Sequence, residues 1–248
     1  MMTQQLLGKL KDLKLTGMAE ALSSNFDKPA FHGLSFDEQM GILIDCELSS
    51  RDTKRMGRLL SLAKFRYPNA CLENLDYRTT RGLDKNLFSV LAACDWVRKG
   101  AHIVIDGATG TGKSWVACAL GMQACRNGFS VIYRTSSQLA EEIILAIENG
   151  SLPLLKAKYI KASIVMIDDL GIMPFDQKIA RALLDIVDER ERLETGSFVI
   201  TSQYPPERWH AFLGDPTTAD AVMDRLVHTA HSISLKGESL RKQKAPKK

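Results

Sequence analysis

The sequence predicts an α/β fold with a five-stranded parallel sheet, preceded by a small all-helical segment. Two observations carry this. From about residue 100, short apolar runs alternate with stretches of helical periodicity: HIVID (102–106), SVIYR (130–134), IVMID (164–168), FVITS (198–202) and SISL (232–235). Strands that alternate with helices imply parallel pairing, with helices covering both faces. Over residues 1–66 the apolar residues instead fall at helical spacing, and no strand pattern occurs.

In the first 66 residues, Leu6, Leu10 and Leu13 share one helical face. Ser35-Phe36-Asp37-Glu38 has the form of a capping box and predicts a helix through about Leu48. A further helix is expected from about Ser50 to Lys64, before Pro68 interrupts the pattern. After the first strand, KSWVACALGMQACRN is apolar almost all round and stops at Asn127-Gly128, so it predicts a helix buried on several sides. Thr135 and Gln138 form a second capping box, for a helix ending at Asn149-Gly150. Another helix begins near Asp176 and carries Ile179, Leu183, Ile186 and Val187 on one face. The expected division is a helical domain over 1–66 and an α/β domain over 67–248.

The balance of 45% hydrophobic and 25% charged residues in a chain of 248 suits one sizeable domain plus a small one. No apolar run approaches the roughly 18 residues of a membrane span, and the lysine-interrupted start does not read as a signal peptide. The five cysteines form no CxxC pair, which argues against a disulfide framework or zinc site and for a reducing cytoplasm. Net charge is only +4, but residues 51–66 hold six basic residues against one acidic. The stretch from Lys236 onward holds six against one. That unevenness points to a polyanionic partner.

Residues 107–114, GATGTGKS, lie between a predicted strand and a predicted helix and match the phosphate-loop pattern G-x-x-x-x-G-K-[ST]. Gly107, Gly110 and Gly112, with Thr109 and Thr111 between them, let backbone N–H groups curl around phosphate oxygens at a helix N-terminus. Lys113 is then expected to reach the β- and γ-phosphates of a nucleoside triphosphate, and the Ser114 hydroxyl to bind Mg²⁺. The IVMID strand delivers Asp168 and Asp169 to the carboxyl edge of the sheet, where ligands of open α/β folds bind. Asp168 is the expected Mg²⁺ ligand, directly or through water, and Asp169 the group that orients or deprotonates the attacking water. FVITS runs into Gln203, a polar tip able to hold that water or sense the terminal phosphate. Arg225, on a helix in DPTTADAVMDRLVHTAH, reads equally well as a finger reaching a neighbouring subunit's nucleotide or as a surface ion-pair partner. Trp96, Trp115 and Trp209 sit among apolar neighbours and read as packing residues.

LTGMAEAL, GATGTGKS, IVMIDDLG, ITSQYPPERWHAFLGDPTTADAVMDRLVHTAH and ISLKGESLRK together resemble the IstB family across essentially the whole chain. These are AAA+ ATPases that assist a transposase in insertion-sequence transposition, and they are related to DnaC-type helicase loaders. The resemblance implies ATP-dependent self-assembly on duplex DNA, with the cognate transposase as partner. It makes Gln203 the sensor, Asp169 the catalytic carboxylate and Arg225 the arginine finger. Two positions depart from the wider AAA+ pattern, in which the carboxylate is usually Glu and the sensor commonly Asn. Only 23 residues follow Arg225 in the 248-residue sequence, which implies a reduced C-terminal lid and a site completed by a neighbour.

Arg51, Lys54, Arg55 and Arg58 stand at i, i+3, i+4 and i+7, so they share one helical face, away from Leu48, Met56, Leu59 and Leu60. Such a stripe reads equally as a solvated face of a helical bundle or as a track for duplex phosphates with little regard to sequence, and the resemblance favours the second. The tail RKQKAPKK adds further positive charge and is expected to be disordered. Two rival readings stand beside the transposition helper. One is a helicase loader, marked by single-strand preference; the other is a DNA-bending scaffold in which ATP only switches assembly.

Overall fold

The structure is a computed structural model and describes residues 2–25, 28–77, 81–194 and 196–240. It forms two compact units, residues 1–58 and 59–248. The basic tail over 241–248 lies outside the described residues.

The first unit contains α1 (Met2–Asp12), α2 (Thr16–Asn25), α3 (Pro29–His32) and most of α4 (Phe36–Ala63). Ala21, Leu22, Phe31 and Leu43 form its core, with Leu7, Leu10 and Met18 packed against them. The Ser35–Glu38 capping box opens α4: the Ser35 N–H donates to Glu38 Oε2 at 2.8 Å. Buried Glu47 caps α2, accepting from the Gly17 N–H at 2.7 Å and the Met18 N–H at 3.1 Å. Gly17 permits this close approach, since a Cβ there would stand 2.7 Å from the Cys46 carbonyl.

One expectation fails here. The two helices predicted on either side of residue 49 are a single 28-residue helix, α4. Ser49-Ser50 is no breaker, because neither residue removes an amide donor or forces a positive φ, and Glu47 and Arg51 pair across the expected gap at 2.7 Å. Leu48 is also not a packing residue, being 55% exposed.

The second unit holds α5 (Lys85–Ala92), α6 (Asp95–Arg98), β1 (His102–Gly107), α7 (Lys113–Arg126), β2 (Val131–Thr135) and α8 (Ser136–Glu148). It continues through α9 (Leu152–Lys161), β3 (Ile164–Leu170), α10 (Gln177–Arg192), β4 (Ser197–Ser202), α11 (Pro216–Val227) and β5 (Ala230–Leu235). The strands form one sheet in the order β2-β3-β4-β1-β5, and every pairing is parallel. The chain crosses from β1 to the far edge at β2, then returns strand by strand. With right-handed crossovers, that reversal puts α7 on one face and α8 to α11 on the other. Side chains alternate accordingly: Ile103, Ile105 and Met166 face the α7 layer, while Val104, Val165 and Ile167 face the opposite one. Helix α7 is buried nearly all round, as its composition predicts.

Arg190 of α10 holds the amino-terminal edge of the sheet together. It is buried, and its guanidinium donates to the carbonyls of Tyr159 and Ala162, each at 2.6 Å, and of Ser197 at 3.2 Å. Its flat face lies over the Phe198 ring. No helix among the described residues is long and apolar enough to cross a membrane.

Candidate nucleotide site

The phosphate loop takes its shape from glycines with positive φ: 146° at Gly107, 88° at Gly110 and 96° at Gly112. Gly112 is the N-cap of α7, so the loop delivers its N–H groups to a helix N-terminus. The Lys113 ammonium donates to the carbonyls of Gly107 at 2.8 Å and Ala108 at 3.1 Å, which places it inside the loop. Thr111 is buried; its hydroxyl donates to the Ala108 carbonyl at 2.8 Å. Its own carbonyl accepts from Arg81 at 2.5 Å. Residues after β5 also pack on the loop, where the Leu240 N–H donates to the Gly110 carbonyl at 3.0 Å.

A cavity of ≈ 540 Å³ opens beside the loop. Thr109, Gly110, Gly112, Lys113, Ser114, Asp169 and Gln203 all line it, from three segments distant in sequence. The Thr109 hydroxyl donates to Gln203 Oε1 at 3.1 Å, so the end of β4 touches the loop directly.

The two aspartates end up on the same side of the chain because the strand is not regular. Ile167 pairs with Ile200, but Leu170 pairs with Ser202, so β3 carries one extra residue where Asp168 and Asp169 stand. This bulge, with Asp169 at φ 59°, breaks the alternation that would send neighbouring side chains to opposite faces. Thr201 bridges the pair: its hydroxyl donates to Asp168 Oδ1 at 2.5 Å and accepts the Asp169 N–H at 2.9 Å. The Asp169 carbonyl accepts from the Ser136 hydroxyl at 2.9 Å. Asp168 is buried, and its Oδ2 accepts from the Tyr133 hydroxyl at 2.5 Å. Burial, with the Asp168 charge adding to it, raises the Tyr133 phenol far above its ordinary range. Burial first and Asp168 second raise the Asp169 carboxyl, against the opposing pull of Arg66 and Lys113.

These residues fit a Mg²⁺-bound triphosphate. Each Asp168 oxygen accepts one hydrogen bond and keeps a second acceptor site. The described residues hold no cluster of three His, Cys, Asp or Glu. One hydroxyl and two carboxylates beside a phosphate loop are the sparse, oxygen-only set that Mg²⁺ accepts.

Arg225 does not line this cavity. It sits near the end of α11, against Asp188 at 2.6 Å and Glu191 at 3.0 Å, and lines a different cavity with His102 and Thr229. His102 begins β1 and Gly107 ends it, so the two cavities lie at opposite edges of the sheet, about 17 Å apart along the strand.

Sequence reasoning missed Tyr133, Ser136, Arg81 and Arg66. Of these, Tyr133 carried a signal, since a tyrosine central in a buried strand needs a partner for its hydroxyl. Trp96 and Trp209 are buried as expected, whereas Trp115 both packs on the core and lines the cavity. In the first unit, Arg51, Lys54, Arg55 and Arg58 are all exposed on α4. Arg51 also bonds Glu47 at 2.7 Å, and Lys54 donates to Thr16 Oγ1 at 2.5 Å.

A five-stranded parallel sheet in this order, with a phosphate loop after β1 and acidic residues ending β3, defines a P-loop nucleotide-binding protein of the AAA+ kind. Solved structures of that kind share the fold. The AMPPCP-bound DnaA of Aquifex aeolicus superposes with a TM-score of 0.57 at 18% identity, over 70% of this chain and 52% of that one. DnaI superposes with a TM-score of 0.54 at 19% identity, over 73% of this chain and 98% of that one. Residues 8–248 match the family described as IstB-like ATP binding protein, and the chain belongs to that family. A protein named as the ATP-binding protein of insertion sequence IS1162 in Pseudomonas fluorescens is 42% identical, over 83% of this chain and 88% of its own. The insertion-sequence ATP-binding protein y4pL of Sinorhizobium fredii is 39% identical over the full length of both.

Proposed function

We propose that this protein is a Mg²⁺-dependent ATPase that assembles on duplex DNA and assists the transposase of an insertion sequence. The observation that carries this reading is the split of the candidate machinery between two edges of one sheet. Lys113, Ser114, Asp168, Asp169 and Gln203 gather at the carboxyl edge. Arg225 stands at the other, too far to reach its own phosphate loop. A phosphate that meets Arg225 therefore belongs to another copy, and nucleotide binding becomes a reason to assemble.

In this mechanism the loop N–H groups and Lys113 hold the triphosphate, while Ser114 and Asp168 hold its metal. The bound Mg²⁺ supplies charge neutralisation at the phosphates. Asp169 accepts a proton from the attacking water, and its raised carboxyl is suited to take it. Gln203, tied to Thr109, orients that water. Arg225 leaves Asp188 and Glu191 for the neighbour's terminal phosphate, so hydrolysis in an isolated chain is slow. The α4 stripe carries the DNA, and the insertion-sequence relatives support a transposase as partner.

Sedimentation of the full chain with a duplex long enough for several copies, with and without Mg²⁺ and ATP, tests this. A discrete large complex needing both DNA and ATP is expected, and Arg225→Ala should abolish it without weakening nucleotide binding by the monomer. A chain that stays monomeric on duplex but binds single strands would replace this reading with a helicase loader. Asp169→Asn should stop hydrolysis; strand transfer at full rate in that variant would leave ATP as an assembly switch only.

A further inference from the structure

Arg66 belongs to no motif that the proposed mechanism uses, yet the chain around it is built to deliver it. Helix α4 ends at Ala63, and Lys64 turns the chain with φ 57°. Phe65 then enters a gap that only a glycine leaves open in α7, since a Cβ on Gly121 would stand 2.5 Å from Phe65 Cε1. The Phe65 ring also lies against Tyr133, centroid to centroid 6.1 Å. With Phe65 pinned, Arg66 emerges over the end of β3. Its Nη1 is 3.3 Å from Asp169 Oδ2 and 3.8 Å from Asp168 Oδ2.

The side chain is 41% exposed and lines the same cavity as Lys113, Ser114 and Gln203, as the one arginine among the described lining residues. Its guanidinium carries one charge and faces two carboxylates. A divalent ion held there would offer those carboxylates twice that charge and would free the guanidinium. The anion left in the cavity to receive a planar, weakly hydrated fork is the triphosphate itself.

We infer that Arg66 is a terminal-phosphate ligand supplied in cis, stored on Asp168 and Asp169 until Mg²⁺ takes them over. This rests on reading the cavity as the ATP site. It gives the monomer a means to tell ATP from ADP before any neighbour contributes Arg225.

The test measures binding of fluorescent ADP and of a non-hydrolysable fluorescent ATP analogue, both with Mg²⁺, to full-length wild type, Arg66→Ala and Arg66→Lys. Arg66→Ala should bind the triphosphate about 10-fold more weakly or worse, as expected when a charge-assisted bond is removed, and the diphosphate within about 2-fold of wild type. Arg66→Lys should fall between, keeping the charge but not the fork. In a Mg²⁺ titration at fixed ADP, Arg66→Ala should saturate at lower Mg²⁺, because its competitor for the aspartates is gone. Equal losses for both nucleotides, or none, overturn the inference. If wild type itself binds neither nucleotide, the ATP-site reading fails instead.

Discussion

The Tyr133 hydroxyl donates to Asp168 Oδ2 at 2.5 Å, so a residue in the middle of β2 fixes the carboxylate at the bulge of β3. The phenol is buried and its proton is held firmly by the neighbouring charge, so the bond persists across the physiological pH range. Tyr133→Phe removes it without changing the packing shape. Groups that orient a metal ligand are commonly worth 10- to 100-fold in metal affinity. The variant should therefore need about 10-fold more Mg²⁺ for half-maximal nucleotide binding, while metal-free nucleotide binding stays as in wild type. An unchanged Mg²⁺ requirement would mean that Thr201 alone orients Asp168.

Arg190 joins the end of α9, the start of β3 and the start of β4 through their backbone carbonyls. Arg190→Met keeps the apolar contact with Phe198 but leaves those carbonyls without their buried donor. Leaving buried acceptors without their donor typically costs about 1–3 kcal/mol each, so a loss of about 3 kcal/mol is expected. For a domain of this size that corresponds to a drop of roughly 6–12 °C in Tm. Arg190→Lys should recover only part of it, because one ammonium cannot span acceptors on three segments. Calorimetry on the three proteins decides the matter; a Tm within error of wild type would remove Arg190 from the account of stability.

His102 sets a pH dependence at the same edge. Burial, and then the Arg190 charge, lower its imidazole to about 4, and its Nδ1 accepts the Phe198 N–H at 3.2 Å, which requires that nitrogen unprotonated. The unfolded chain takes up the proton near pH 6.5. Its contribution to stability is therefore complete above pH 6.5 and is lost as pH falls from there toward 4. The bound on that loss is roughly 3 kcal/mol. His102→Asn offers a non-titrating acceptor, so its denaturation midpoints should vary less than those of wild type across this window. Parallel profiles would assign the acid sensitivity to other groups.

Much of the architecture could be read from the chain because its signals are local. All five strands, the phosphate loop, the capping boxes at Ser35 and Thr135 and the buried character of α7 each follow from a few adjacent residues. What stayed hidden depends on contacts between distant segments. The bulge at Asp168–Asp169 exists because Thr201 and Ser136 clamp the peptide from β4 and α8, and nothing in IVMIDDLG announces it. Arg66 read as one more basic residue in a charged stretch, since its position is set by Gly121, more than fifty residues on. The break expected in α4 failed for the opposite reason. Two adjacent serines weaken a helix only slightly, and packing on either side outweighs them.

The α4 stripe makes a prediction that separates DNA binding from helix stability. Arg51 and Lys54 have partners within the first unit, Glu47 and Thr16, and Glu47 in turn caps α2. Arg58 lies one turn further on and is exposed. Removing one cation that neutralises a phosphate should lower the slope of log affinity against log salt by about 0.9. Arg55→Ala with Arg58→Ala should therefore reduce the slope by about 2, with equal weakening on unrelated duplex sequences. Replacing Arg51 and Lys54 as well should take off about 2 more and also lower the Tm, because Glu47 loses its partner. If the double variant binds duplex with the wild-type slope, the stripe is a solvated face and the DNA is held elsewhere on the chain.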